Sequence, residues 1–110
     1  MTEPTTAGTQ ATHGELGAPL VTNNPDESRF ELRVDGNLVG LADYRVHAGR
    51  MVFTHTEVDP GLGGRGLGGV LIGAALAEVR NQGLSADPQC SFVDDYLNRH
   101  PEHADLRHRR

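Results

Sequence analysis

Apolar and charged residues alternate from Arg29 to Val34, with Phe30, Leu32 and Val34 set between Arg29, Glu31 and Arg33. A period of two is that of a strand with one buried face. Ordered structure is therefore expected to begin near Ser28. Asp35-Gly36-Asn37 supplies turn chemistry, and Leu38 to Arg45 predicts a second strand. A further turn falls around His47-Ala48-Gly49-Arg50, and Met51 to Val58 predicts a third strand. Strict alternation puts Met51, Phe53, His55 and Glu57 on one of its faces and Val52, Thr54, Thr56 and Val58 on the other. Three strands joined by short turns make an antiparallel meander.

The pattern then changes. Residues 59–69 hold six of the chain's fourteen glycines. Beyond them Leu67, Val70, Leu71, Ala74 and Ala75 fall at helical spacing, widened by Ile72, Leu76 and Val79, and predict a helix to about Gln82 closed by Gly83. Leu84 to Phe92 reads as a fourth strand, in which Pro88 marks an edge, a bulge or a splay. Asp94 to Arg99 reads as a short helix ended by Pro101, and Glu102 to Arg110 as a frayed end apart from Leu106. Residues 1–27, rich in Thr, Gly, Ala, Pro and Asn, lack the apolar side chains to offset their ordering entropy. The expected organisation is a disordered N-terminal tail (1–27), one α+β domain (28–106) and a C-terminal tail (107–110).

Composition narrows the function classes. At 110 residues there is room for one domain. No run approaches the ~18 apolar residues of a membrane span, and the N-terminus has no apolar signal region, so a cytoplasmic protein without a membrane partner is expected. The single cysteine, Cys90, excludes an internal disulfide and a Cys-rich zinc site. The net charge is −5, yet from residue 28 onward ten Arg face eleven Asp and Glu. A domain so close to neutral lacks the basic excess of a nucleic-acid binder, and Arg107-His108-Arg109-Arg110 reads as a solvated tail. His100, His103 and His108 are spaced as six histidines readily are in such a chain, and no metal site is expected from them.

The glycine-rich loop carries the chemistry. Where a strand leads through glycines into a helix, the backbone can approach an anion, and the first unpaired N–H groups point at it along the helix dipole. Arg65 adds a charge-assisted donor. Gly61-Leu62-Gly63-Gly64-Arg65-Gly66 fits the dinucleotide-binding spacing, with Asp87 downstream, but an antiparallel meander is not a doubly wound sheet. A Walker loop is excluded because the chain contains no lysine.

Meander, glycine loop, helix, strand and short helix in that order resemble the acetyl-CoA-binding core of the GNAT superfamily of N-acetyltransferases. The superfamily's Gln/Arg-x-x-Gly-x-Gly/Ala signature is met at Gly66 and Gly68, with Gly63 in place of the leading Gln or Arg. The likeness is closer to the minimal single-domain branch, through His55-Thr56-Glu57-Val58, Cys90-Ser91-Phe92-Val93, Tyr96 and His100-Pro101-Glu102. The resemblance implies a mixed, largely antiparallel sheet with a central helix after the loop and a short C-terminal helix. It implies acetyl-CoA as co-substrate, with Gly63, Gly64, Arg65, Gly66, Leu67 and Gly68 around its pyrophosphate. Main-chain groups of Glu57 and Val58 would then meet the pantetheine arm, and Pro88 and Cys90 would line the splayed side.

Acetyl transfer by direct attack needs a base for the amine, a donor for the oxyanion and a proton for the leaving thiolate. His55 and Glu57 are candidate bases. Cys90 is a candidate nucleophile or acid/base group, and Tyr96 a candidate proton donor. Each also has an ordinary structural reading: His55 and Glu57 as solvated strand residues, Cys90 as a small buried residue, Tyr96 as packing. The implied function is transfer of an acetyl group to an amine of unknown identity. An open groove, in a chain without the helices that wall it in larger relatives, favours a protein or peptide amine. The alternatives are a non-catalytic acyl-CoA-binding or sensing module and a small interaction protein that uses the fold without a ligand.

Overall fold

The computed structural model describes residues 17–62 and 66–108. Its five strands are β1 (Leu20–Asn24), β2 (Arg29–Val34), β3 (Asn37–His47), β4 (Arg50–Val58) and β5 (Ser85–Pro88). They form one sheet in the order β1-β2-β3-β4-β5, antiparallel through β4 and parallel between β4 and β5. Helix α1 (Leu67–Asn81) makes the β4–β5 crossover, and α2 (Ser91–Arg99) follows β5 directly. A mixed, largely antiparallel α+β sheet with a central helix after the glycine loop is thus observed. Asp35-Gly36 and Ala48-Gly49 both take positive φ, the geometry that lets two-residue hairpins follow the sheet's twist.

The sheet starts earlier than the alternation predicts. Leu20–Asn24, within the stretch read as tail, is an edge strand on β2. It is held by polar contacts: Tyr44 Oη donates to Asn23 Oδ1 at 2.7 Å, and Asn24 Nδ2 donates to Glu31 Oε2 at 3.1 Å. Glu31, the one charged residue buried among those described, also receives Arg29 Nε at 2.8 Å and Arg33 Nη1 at 2.9 Å. Residues 1–16 of the expected tail lie outside the described residues.

Three further expectations are corrected. The fourth strand is only Ser85–Pro88, because Pro88 stops the ladder and Ser91 and Phe92 already belong to α2. The C-terminal segment is not frayed. Pro101–Leu106 is a 3₁₀ segment with Leu106 buried, and Arg80 clamps it through two hydrogen bonds to Asp105 at 2.8 and 2.9 Å. Arg107 bridges to Ala86 and bonds Asp94 at 2.8 Å, so residues 107 and 108 belong to the fold, while Arg109 and Arg110 lie outside the described residues.

The third correction concerns β4. Asp43 lies opposite His55 but Tyr44 lies opposite Phe53, so Thr54 is an extra residue, a β-bulge. One inserted residue reverses the alternation beyond it. Met51 and Phe53 point into the core under α1, and Thr56, opposite buried Ala42, shares that face. His55 and Glu57, opposite Asp43 and Leu41, point to the other face instead of continuing the Met51–Phe53 row. The core lies between the sheet and α1, whose Leu67, Leu71, Ile72, Ala75, Leu76 and Val79 are buried with Phe30, Leu32, Phe53, Val93 and Leu97. Each large aliphatic chain removed from water there contributes about 1.5–3 kcal/mol.

Candidate active site

The start of α1 is shaped by glycine. Gly66 is the N-cap, at φ 70° and ψ 14°, and no side chain caps the helix. No acidic residue stands in the first turn. The first-turn amides therefore point out of the helix end without a side-chain acceptor, next to the positive end of the dipole. Leu67 is buried and pins this end to the core. Gly68 lies against the tip of the Phe92 ring, where a Cβ would collide with Cζ. Gly63, Gly64 and Arg65 lie outside the described residues.

Beside this helix end the sheet opens. The β4–β5 pairing ends at Phe53 and Pro88, and the Phe53 carbonyl accepts the N–H groups of Gln89 at 3.0 Å and Cys90 at 3.1 Å. The chain then turns into α2. β4 runs on from Thr54 to Val58 with no strand on that edge among the described residues. The Asp59 N–H bonds back to the Val39 carbonyl at 2.7 Å, and the Glu57 carbonyl lies against Gly40. Alternation then turns the main-chain groups of Thr56 and Val58 to the free edge and those of Glu57 towards β3.

Four candidate side chains occupy three places. Cys90 is the N-cap of α2, half-buried, with Sγ 3.4 Å from Thr56 Oγ1. His55 and Glu57 stand together on the opposite, open face, with Nε2 and Oε2 2.6 Å apart and side chains 55% and 65% exposed. If the Glu57 carboxylate accepts the Nε2 proton, Nδ1 keeps the free lone pair. Tyr96 packs on α1 instead, its hydroxyl over Gly73 and its ring stacked on His100 at 3.8 Å between centroids. Burial, then the nearby Glu102 carboxylate, pushes the Tyr96 phenol above its ordinary range and keeps it protonated. No described contact joins it to Cys90, His55 or Glu57.

Thr56 is the neighbour that sequence reading passes over. Nothing local marks a mid-strand threonine, and only the long return through α1 and β5 brings sulfur to it. His100 is engaged with Tyr96, and His108 lies 3.3 Å from Arg50. Among the described residues no three His, Cys, Asp or Glu side chains gather to hold a metal ion, and no helix is long and apolar enough to cross a membrane.

Residues 29–106 match the family described as GCN5-related N-acetyl-transferase. Among solved structures, the chain is similar to the NMR structure of a GCN5-like protein from Staphylococcus aureus. That likeness has a TM-score of 0.65 and 25% identity over 81% of this chain and 87% of the other. It is also similar in fold to the crystal structure of the ribosomal-protein-S18-alanine N-acetyltransferase from Escherichia coli. There the TM-score is 0.50, with 24% identity over 52% of this chain and 37% of the other. No curated protein matches the chain.

Proposed function

The chain belongs to the GCN5-related N-acetyltransferase family, and from that premise we propose that it transfers an acetyl group from acetyl-CoA to an amine. The observation that carries this reading is the adjacency of the uncapped, glycine-opened start of α1 and the free β4 edge beyond Phe53. An uncapped helix end suits a pyrophosphate. A strand edge with unpaired N–H and C=O groups suits the two amides of a pantetheine arm, which would bind as an added strand along Thr56 and Val58. The thioester then enters the β4–β5 gap, beside Cys90.

The bulge at Thr54 gives the two faces of β4 different work. α1 and α2 fill one face, so the acceptor approaches from the other, where His55 and Glu57 stand exposed. His55 Nδ1, with Glu57 on Nε2, takes the proton from the attacking ammonium, directly or through water. The amine nitrogen forms its bond to the carbonyl carbon and gives its second proton to solvent, the carbon–sulfur bond breaks, and the thiolate leaves towards Cys90 and Thr56. The Cys90 thiol is the proton source nearest that path, and its proton is restored from solvent. The open approach favours an amine on a protein or peptide.

The test is incubation of the full chain with acetyl-CoA and a panel of small amines and peptides, reading free thiol and acetylated product mass. Thiol release that depends on the acceptor supports transfer. Tight acetyl-CoA binding with no release above buffer would leave a non-catalytic acyl-CoA-binding module. Absence of binding would remove both readings.

A further inference from the structure

Helices α1 and α2 fill one face of the sheet. The strand registers lay out the opposite face in rows. In one row Arg29, Asp43 and His55 lie side by side on β2, β3 and β4. In the next, Thr22, Glu31, Leu41 and Glu57 run from β1 to β4. Beyond the irregularity at Leu32 and Arg33, a third row holds Leu20, Arg33 and Leu38 beside the Asp35-Gly36 turn. Of the five large apolar residues exposed among those described, two stand in this last row, Leu20 at 59% and Leu38 at 43%. Arg33 lies between them, but its Nη1 donates to Glu31 Oε1 at 2.9 Å, which draws its charge towards the middle row. Leu41, half-buried, carries the apolar strip from Leu38 to the neighbourhood of His55. At the His55 end, Arg29 gives its Nε to Glu31 at 2.8 Å, so the adjacent Asp43 carboxylate is not its hydrogen-bond partner.

One end of this strip is anionic and the other is apolar and exposed. That polarity matches a peptide with a cationic amine at its end and large apolar side chains behind it. We propose that the acceptor is the N-terminal α-amine of a protein or peptide whose next few residues are apolar and lie extended across the open face, from His55 over Leu41 to Leu38. The inference rests on the transfer reading above, which brings the acceptor in over His55 and Glu57. Diagonal neighbours on paired strands lie roughly 7–8 Å apart, and an extended chain rises ~3.3 Å per residue. The second or third residue of the acceptor therefore reaches Leu41, and those after it reach Leu38. Asp43 and Glu57 attract the ammonium group, and His55 takes its proton as above. The α-nitrogen gains the acetyl group and loses two protons, and the coenzyme leaves as its thiol. The open face also selects against lysine. An α-amine loses its proton near ~7.7–8.0 and a lysine near ~10.4, so at neutral pH the neutral fraction of the α-amine is larger by roughly 300-fold. Burial would lower the lysine value, but the side chains of His55 and Glu57 are 55% and 65% exposed and give no such shelter.

The experiment measures kcat/KM of the full chain with acetyl-CoA and four acceptors. They are alaninamide, Ala-Leu-Leu-Leu-Leu-Arg-Arg amide, Ala-Ser-Ser-Ser-Ser-Arg-Arg amide, and an N-terminally blocked Leu-Leu-Lys-Leu-Leu-Arg-Arg amide. The leucine peptide is expected to exceed the serine peptide by about tenfold, as for burial of one large apolar side chain, and the blocked lysine peptide to be the poorest. Leu38→Ser, at an exposed position, should cut the leucine-over-serine preference to about threefold or less, and Leu41→Thr, which keeps a strand-forming residue, should do the same. Val46→Thr, equally exposed but on the helix-bearing face at the far end of β3, is the control and should keep the full preference. If alaninamide is acetylated and the two α-amine peptides are equal, the docking strip is wrong while the transfer reading stands. If the blocked lysine peptide is the best acceptor, the assigned occupant is wrong. A dimer by light scattering that Leu38→Ser dissociates would put a second copy on the strip and overturn the assignment. If no acceptor is acetylated although acetyl-CoA binds, the transfer reading falls and this inference with it.

Discussion

Gly66→Asp tests the anion site at the least structural cost. At φ 70° a residue other than glycine costs roughly 1–2 kcal/mol, with Asn and Asp the best tolerated. A Cβ at this position would meet nothing within 4 Å, so no clash adds to that strain. Both variants are therefore expected to fold, with midpoints roughly 5–15 °C below wild type. Their ligand binding should differ sharply. A carboxylate roughly 5 Å from one phosphate charge, at an effective dielectric of ~20, is repelled by about 3 kcal/mol. That corresponds to about a hundredfold loss of affinity. Gly66→Asn has nearly the same shape and no charge, and isolates this contribution. Wild type at a hundred times its Kd should gain ~2.7 kcal/mol from acetyl-CoA, a rise of roughly 10 °C or more for a domain of this size. At that concentration Gly66→Asp should show almost none of the rise and Gly66→Asn most of it, with Kd checked by calorimetry. Equal affinities in the Asp and Asn variants would refute the placement of the phosphates at the start of α1.

Other expectations follow from the same geometry. Cys90→Ala should lower kcat by about a hundredfold, within the range for a positioned acid, with acetyl-CoA affinity kept within threefold; an unchanged kcat would reduce Cys90 to packing beside Thr56. His55→Gln and Glu57→Gln should each slow turnover by about a hundredfold and leave the melting midpoint within the ~0.5 kcal/mol typical of surface changes; full activity in both would remove the proposed base. Glu31 should set part of the acid limb of stability. Hydrogen bonds from Arg33, then Arg29 and Asn24, lower its carboxyl from 4.5 to about 2. Because the folded value is depressed, its contribution is present above pH 4.5 and is lost as pH falls towards 2. Denaturant melts of Glu31→Gln should therefore show less loss of stability than wild type across that window, and an identical slope would count against the ion network at β1 and β2.

Much of the fold is written in local periods. Alternation in Phe30, Leu32 and Val34, the helical stripe from Leu67 to Val79 and the glycine run before it each report on residues a few positions apart. Such patterns survive in any context that buries one face, and they give the meander, α1 and its glycine-opened start without reference to the rest of the chain. Family-like segments around His55, Cys90 and Tyr96 add candidate residues to that frame.

What escapes them depends on residues far apart. β1 has only Val21 and Asn24 half-buried and no apolar rhythm; it is a strand because Asn23 and Asn24 find Tyr44 and Glu31. The bulge at Thr54 leaves no mark in composition, since a strand pattern with one inserted residue still alternates on either side of it. Yet it turns His55 and Glu57 to the face away from Cys90. Cys90 meets Thr56, 34 positions earlier, only after α1 has crossed over the sheet and Pro88 has released β5 from β4. Local sequence sets the period of each element. The register between elements, and with it the company each side chain keeps, is decided by the pairing and packing energy of the whole domain.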